Sequence, residues 1–226
     1  MLKFTIRFIP LLALLLLAGV NQASAQGVSP YFGIGTAQDG AGTSPATSTS
    51  AACPSKQIFD EFTGNCEPAP AMGGVFGVFG VDFMIKPHLG FNGEYSFRFA
   101  QASYLPDAGL NARPGFYDFN AVYQPTSGSK RIVPIVEGGV GGARIAFYQT
   151  SQGCITAGTC TNQSEALFSA NHFQVHGAVG VKLYFRSDIF LKPQFDVRWV
   201  DNMNQQYSSN FVPEFTLSIG YTFGRQ

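Results

Sequence analysis

The feature that most constrains this chain is a two-residue alternation of large apolar and polar side chains, repeated in one segment after another. It is clearest from Glu214 to Phe223. There Phe215, Leu217, Ile219, Tyr221 and Phe223 occupy one phase, and Glu214, Thr216, Ser218, Gly220 and Thr222 the other. Successive side chains of a strand point to opposite faces, so this period makes a strand with one apolar face and one polar face. The same pattern runs through His88–Phe99, His172–Phe185 and Ile189–Trp199. Shorter stretches at Gly73–Ile85 and Gly115–Tyr123 repeat it, and Pro30–Thr36 and Arg131–Tyr148 carry it weakly. In the last of these, Glu137 and Arg144 fall in opposite phases around the run Gly138-Gly139-Val140-Gly141-Gly142, which predicts a bulge or kink at the glycines.

These segments make eight strands, and their connections alternate in length. Lys86-Pro87, Pro125–Lys130 and Arg186-Ser187 are short. The segments 37–72, 100–114, 149–168 and 201–211 are long and polar and read as loops. An even number of antiparallel strands with short turns at one end and long loops at the other is the layout of an up-and-down barrel. It also places both ends of the sheet at the short-turn side.

Period two alone does not distinguish a membrane barrel from a soluble one; the chemistry of the two faces does. A soluble barrel turns its apolar face inward and needs a charged exterior. Here only 12% of residues are charged while 14% are aromatic. The strand charges Asp82, Glu94, Arg98, Asp118, Glu137, Lys182, Lys192, Asp196, Arg198 and Glu214 all fall on the polar faces. The expected arrangement is therefore aromatics toward lipid and charges toward the interior. An eight-stranded barrel is only wide enough for side chains to fill it. Confined charges must pair, so these ten form an expected ion-pair network, with Arg98, Lys192 and Arg198 bridging carboxylates in a plugged lumen. Closure follows from the same environment, because an unpaired backbone group in hydrocarbon costs several kcal/mol. Phe99, Trp199, Tyr221 and Phe223 lie near strand ends, where aromatic girdles form.

Residues 1–25 carry the marks of a cleaved signal peptide: Lys3 and Arg7, an apolar run from Ile9 to Val20, and Ala23-Ser24-Ala25 before the cut. The expected domain is then 26–226. Export suits the four cysteines, which fall in two close pairs, Cys53 with Cys66 and Cys154 with Cys160. Two local disulfides are the simplest pairing, although four cysteines allow three connectivities. The spacing lacks a metal-binding pattern, and the zero formal net charge does not suit a nucleic-acid binder. No cofactor is implied. Gly138–Gly142 lacks the Gly-Lys-Ser/Thr ending of a phosphate loop. Ala37–Ala51 reads as a flexible surface tract.

Taken together, the leader, the eight alternating strands and the terminal strand resemble the small outer-membrane barrels, which include the OmpA transmembrane domain, OmpX and the opacity-type proteins. The resemblance implies an integral outer-membrane protein, monomeric, with a structural or surface-interaction role. It implies lipid as one partner and an extracellular ligand at the loops as another. It also implies that Phe215, Leu217, Ile219, Tyr221 and Phe223 form the signal read by the barrel-assembly machinery, here followed by Gly224-Arg225-Gln226. Enzymes with this architecture that trim lipid A use a His-x-Ser arrangement, which His88, His172 and His176 do not provide, so no catalytic residue is assigned. Three other readings remain at this point: a narrow channel for small solutes or ions, a lipid-modifying enzyme, and a secreted soluble barrel holding an apolar ligand.

Overall fold

The computed structural model describes residues 27–39, 57–60, 64–68, 72–105, 109–126, 131–156, 159–207 and 209–224. The expected signal peptide, Cys53 and most of the Ala37–Ala51 tract lie outside the described residues. The elements in order are β1 (Gly27–Ala37), β2 (Gln57–Asp60), β3 (Asn65–Pro68), β4 (Phe76–Met84), β5 (Leu89–Arg98) and β6 (Ala102–Leu105). They continue with β7 (Leu110–Tyr123), β8 (Ile132–Thr156), β9 (Thr159–Tyr184), β10 (Ile189–Val200), a 3-10 turn (Met203–Gln205) and β11 (Phe211–Tyr221).

Eight of the strands form one closed antiparallel ring: each of β1, β4, β5, β7, β8, β9, β10 and β11 pairs on both sides, β1 with β11 and β5 with β7 completing the circuit. Each of the eight alternating segments lies on a ring strand. The exterior carries the aromatic phase. Phe32, Phe79, Phe91, Phe119, Phe173, Phe195 and Phe215 are all exposed, Phe119 at 69%. The soluble-barrel reading is overturned, since the rings face out and the carboxylates face in. Turns at 85–88 and 185–188 close one end, where Val28 also bridges Phe223. The long connections gather at the other.

Three sequence expectations are corrected. First, β8 runs through the glycines in unbroken register with both neighbours; the register shifts come later, at Phe147/Tyr148 and at Cys154/Thr156. Glycine acts here by letting backbones approach. A Cβ on Gly141 would stand 1.8 Å from the Tyr117 carbonyl oxygen, and one on Gly139 would stand 2.0 Å from that of Phe119. The strand thus passes the glycines without inserting a residue, Glu137 points inward, and Arg144 points outward.

Second, most of 149–168 is a paired β-ribbon, in which β8 and β9 continue well past their partners. Their cross-strand ladder maintains itself through polar Thr, Ser, Gln and Asn positions, a composition that reads as loop because it lacks a buried apolar phase. Third, 100–114 holds β6 and the first residues of β7. The β2–β3 hairpin and β6 are accessory strands outside the ring.

Candidate functional site

Along the inward phase of β10 the residues read Phe190, Lys192, Gln194, Asp196, Arg198 and Val200, all buried. The order apolar, charged, apolar repeats on β8, from Val133 and Ile135 through Glu137 to Ile145 and Phe147. The interior is therefore layered. A polar core lies between two apolar clusters, and these the charge pattern alone did not anticipate.

The cluster toward the short turns contains Tyr31, Val78, Val133, Ile135, Tyr184 and Phe190. The cluster toward the long connections is built from Phe76, Phe116, Ile145, Phe147, Val200 and Val212 on the strands, joined by Met72, Tyr104, Met203 and Tyr207 from the connections above. Burial pushes the hydroxyls of Tyr104 and Tyr207 above the usual phenol range, with Tyr104 adding to the effect on Tyr207. Tyr104 stays a donor and gives its proton to the Gln206 carbonyl at 2.5 Å, which ties β6 to the connection after β10.

Arg198 is the hub of the polar core. It is fully buried. Its Nη1 donates to Glu214 Oε2. Its Nη2 reaches Glu94 Oε1 at 3.3 Å, and Nε and Nη2 share Asp118 Oδ2 at 3.2 and 3.1 Å. One guanidinium fork thus serves carboxylates from β5, β7 and β11, a geometry that a point-charge ammonium would not supply. A second centre lies toward the short turns, where Lys182 Nζ meets Asp82 Oδ2 at 2.7 Å and Lys192 Nζ meets Glu137 Oε1 at 2.9 Å.

Neutral side chains complete the shells. Tyr31 donates to Glu94 at 2.7 Å, Asn92 to Asp82 at 2.6 Å, Ser96 to Glu214 at 2.6 Å and Gln174 to Asp118 at 2.5 Å. His176 lies between Asn120 Oδ1 and Asp196 Oδ1, each at 2.9 Å. Such sharing is what a buried charge requires, since an unpaired ion in a low-dielectric interior costs several kcal/mol.

Nine of the ten charges expected inside are brought together: Asp82, Glu94, Asp118, Glu137, Lys182, Lys192, Asp196, Arg198 and Glu214. Arg98 is not among them. It ends β5 at the rim, half-buried, with its guanidinium beside Gly74 and its carbonyl accepting from Arg113 Nε at 2.8 Å. None of the ion pairs of the polar core includes it. It shares the inward phase of Glu94, but by that level the interior has become apolar. Sequence reading missed Tyr31, Asn92, Asn120, Gln174 and Gln194. All five sit on the inward phase with the charges, so phase was the available signal.

The other histidines lie apart. His88 Nδ1 bonds the Gln124 carbonyl oxygen at 2.8 Å near a turn, and His172 is half-buried toward the far end of β9. Among the described residues no group of three or more His, Cys, Asp or Glu side chains is arranged to hold a metal ion. The terminal-strand residues Phe215, Leu217, Ile219, Tyr221 and Phe223 all face outward. Cys66 lies on β3, and Cys154 and Cys160 are direct Cα partners in the β8–β9 ladder.

Solved structures share this architecture. The outer membrane protein OprG from Pseudomonas aeruginosa superposes with a TM-score of 0.50 at 11% identity, covering 88% of this chain and 96% of that one. A major outer membrane protein from Thermus thermophilus also gives 0.50 at 11% identity, covering 86% and 99%. The fold is that of the small eight-stranded outer-membrane barrels. No family model matches the sequence, and no curated protein matches it.

Proposed function

We propose that the protein is an integral outer-membrane barrel, exported by a signal peptide that is removed at Ala25, with a sealed lumen and a structural or surface-interaction role. The observation that carries this is the inversion of the faces: phenyl rings outside, nine charged side chains inside. Water outside would leave a wide apolar exterior exposed, far beyond the patch a soluble monomer tolerates. Hydrocarbon outside makes the same surface favourable and accounts for the closed ring. Apolar clusters above and below the polar core favour a plug over a conduit. His176, held between Asn120 and Asp196, is read as part of that plug and not as a catalytic base.

The long connections then face the cell exterior, and the β8–β9 ribbon is their most extended element. Pairing of β7 with β8 ends at Leu110 and Gln149, and pairing of β10 with β9 ends at Val200 and Gln174. Beyond those points the ribbon presents strand edges, the kind of surface an extended partner segment can join. Two local disulfides, Cys53–Cys66 and Cys154–Cys160, would stiffen the external connections. The disulfide-bonded state of Cys66 and the facing positions of Cys154 and Cys160 support that pairing. The reading includes a monomer, folded by the barrel-assembly machinery through its terminal strand.

Envelope fractionation combined with gel mobility before and after boiling tests the proposal. A fast-migrating band in the outer-membrane fraction that shifts on boiling is the expected result. Recovery of the protein in the soluble fraction without detergent would overturn it.

A further inference from the structure

Not all of the exterior is apolar. Toward the long-connection end of β7 and β8 two arginines leave the barrel wall side by side. Arg113 is the cross-strand partner of Ala146, and Arg144 is the partner of Gly115, so the two are diagonal neighbours on one face. Diagonal pairs of this kind stand about 7 Å apart at Cβ, within reach of converging long side chains. Arg113 leans over the outward ring of Phe97, 5.7 Å from its centroid. Arg144 is exposed. Among the described residues neither takes part in an ion pair, and Asn171 is the neutral partner of Arg144 on β9. Arg113 Nε donates to the Arg98 carbonyl oxygen at 2.8 Å, so among the described residues both guanidinium groups keep free donors and neither has a carboxylate partner.

The wall between them is lined by tyrosine: Gly115, buried beside Arg144, lies under Tyr95, whose hydroxyl stands 3.1 Å from where a Cβ on Gly115 would be. Directly below on the same strands is a groove of about 440 Å³, walled by Phe91, Phe119 and Val140 and floored by Ala121 and Gly138. That volume lies within the ~300–1,000 Å³ typical of sites for small ligands. Val140 is four residues from Arg144 along β8, about 13 Å at ~3.3 Å per residue, and Phe119 is six from Arg113 along β7, about 20 Å, so the groove begins below the guanidinium pair and extends toward the short turns. Basic groups above an apolar groove, with hydroxyls at the boundary, match the profile of an amphiphile.

We propose that β5, β7 and β8 hold a phosphorylated, multiply acylated glycolipid of the outer leaflet. Its phosphate monoester is gripped by Arg113 and Arg144, and one acyl chain lies in the Phe91–Phe119–Val140 groove. This rests on the outer-membrane reading, which turns the long-connection end toward that leaflet. Arginine suits the role because its planar fork binds phosphate oxygens in pairs, and a dianionic monoester attracts two guanidinium groups more strongly than a phosphodiester does.

Native mass spectrometry of the purified protein in detergent, titrated separately with lipid A, phosphatidylglycerol, phosphatidylcholine and inorganic phosphate, is the test. Lipid A should bind at least tenfold tighter than either phospholipid. R113Q/R144Q should lose at least tenfold of that affinity. G138L, whose Cβ would meet only the His176 carbonyl oxygen at 3.9 Å, an ordinary contact, should fill the groove and weaken lipid A while leaving the arginines in place. Equal retention of phosphatidylglycerol, inorganic phosphate binding as tight as lipid A, or lipid A affinity within threefold of wild type in R113Q/R144Q would overturn the site. Boiling-dependent gel mobility of each variant keeps the two readings apart. Folded variants with unchanged lipid binding refute the site alone, whereas a wild-type protein that never shows the folded band refutes the barrel.

Discussion

Replacing Arg198 with methionine should remove the cation from the polar core while keeping an unbranched side chain that matches the arginine stem as far as Nε. Three carboxylates, Glu94, Asp118 and Glu214, then lose their shared partner at full burial. Breaking a buried ion pair by deleting one member costs about 3–5 kcal/mol, because the surviving charge is left without compensation. With a urea slope of about 2 kcal/mol/M for a protein of this size, the unfolding midpoint should fall by about 2 M. The chain has one tryptophan, Trp199, next to Arg198 in sequence but on the outward face, so its fluorescence follows unfolding of the refolded barrel in lipid vesicles. Adding E214Q to R198M removes one of the stranded carboxylates and should recover part of the loss. R198K should fall between wild type and R198M, since an ammonium keeps the charge but cannot serve all three acids at once. A midpoint shift below about 0.5 M for R198M, equivalent to ~1 kcal/mol at the same slope, would refute the argument that this cation holds the interior together.

Two further outcomes follow from the same geometry. G141V should block folding or destabilise the barrel by at least ~1–3 kcal/mol, because its Cβ would collide with the Tyr117 carbonyl, whereas G177V should be tolerated, since nothing lies within 4 Å of a Cβ there; boiling-dependent mobility after refolding distinguishes them. In planar bilayers the wild-type protein should give no steady large conductance, because apolar clusters close both ends of the polar core; a sustained open level would refute the plug.

The ring was legible because every strand carries two independent messages in one pattern. The period gives the strand, and the identity of the polar residues gives the direction of the faces. Asp196 and Arg198 alternating with Phe195, Val197 and Trp199 could satisfy a membrane barrel and little else. What was not legible came from places where that pattern changes meaning. Phe116, Ile145, Phe147 and Val212 lie in the lumen phase yet are apolar, because near the long-connection end the interior is closed by packing rather than by ion pairs. Arg98 follows the phase of Glu94 but ends at the rim, a matter of height along the barrel that alternation does not encode. Gly139 and Gly141 resembled a bulge, since sequence does not say whether a glycine inserts a residue or admits a neighbouring backbone. The β8–β9 ribbon was hidden by its polarity: without a core to face, it shows no apolar phase.

The central claim, that the aromatic phase meets acyl chains and the charged phase does not, is tested most directly by one fluorescence measurement. In W199F/F119W the only indole stands at the most exposed ring of β7. Reconstituted into vesicles whose acyl chains carry bromine, it should be strongly quenched, emit at short wavelength and ignore aqueous iodide. An indole that iodide quenches and brominated lipid leaves unchanged would contradict the account.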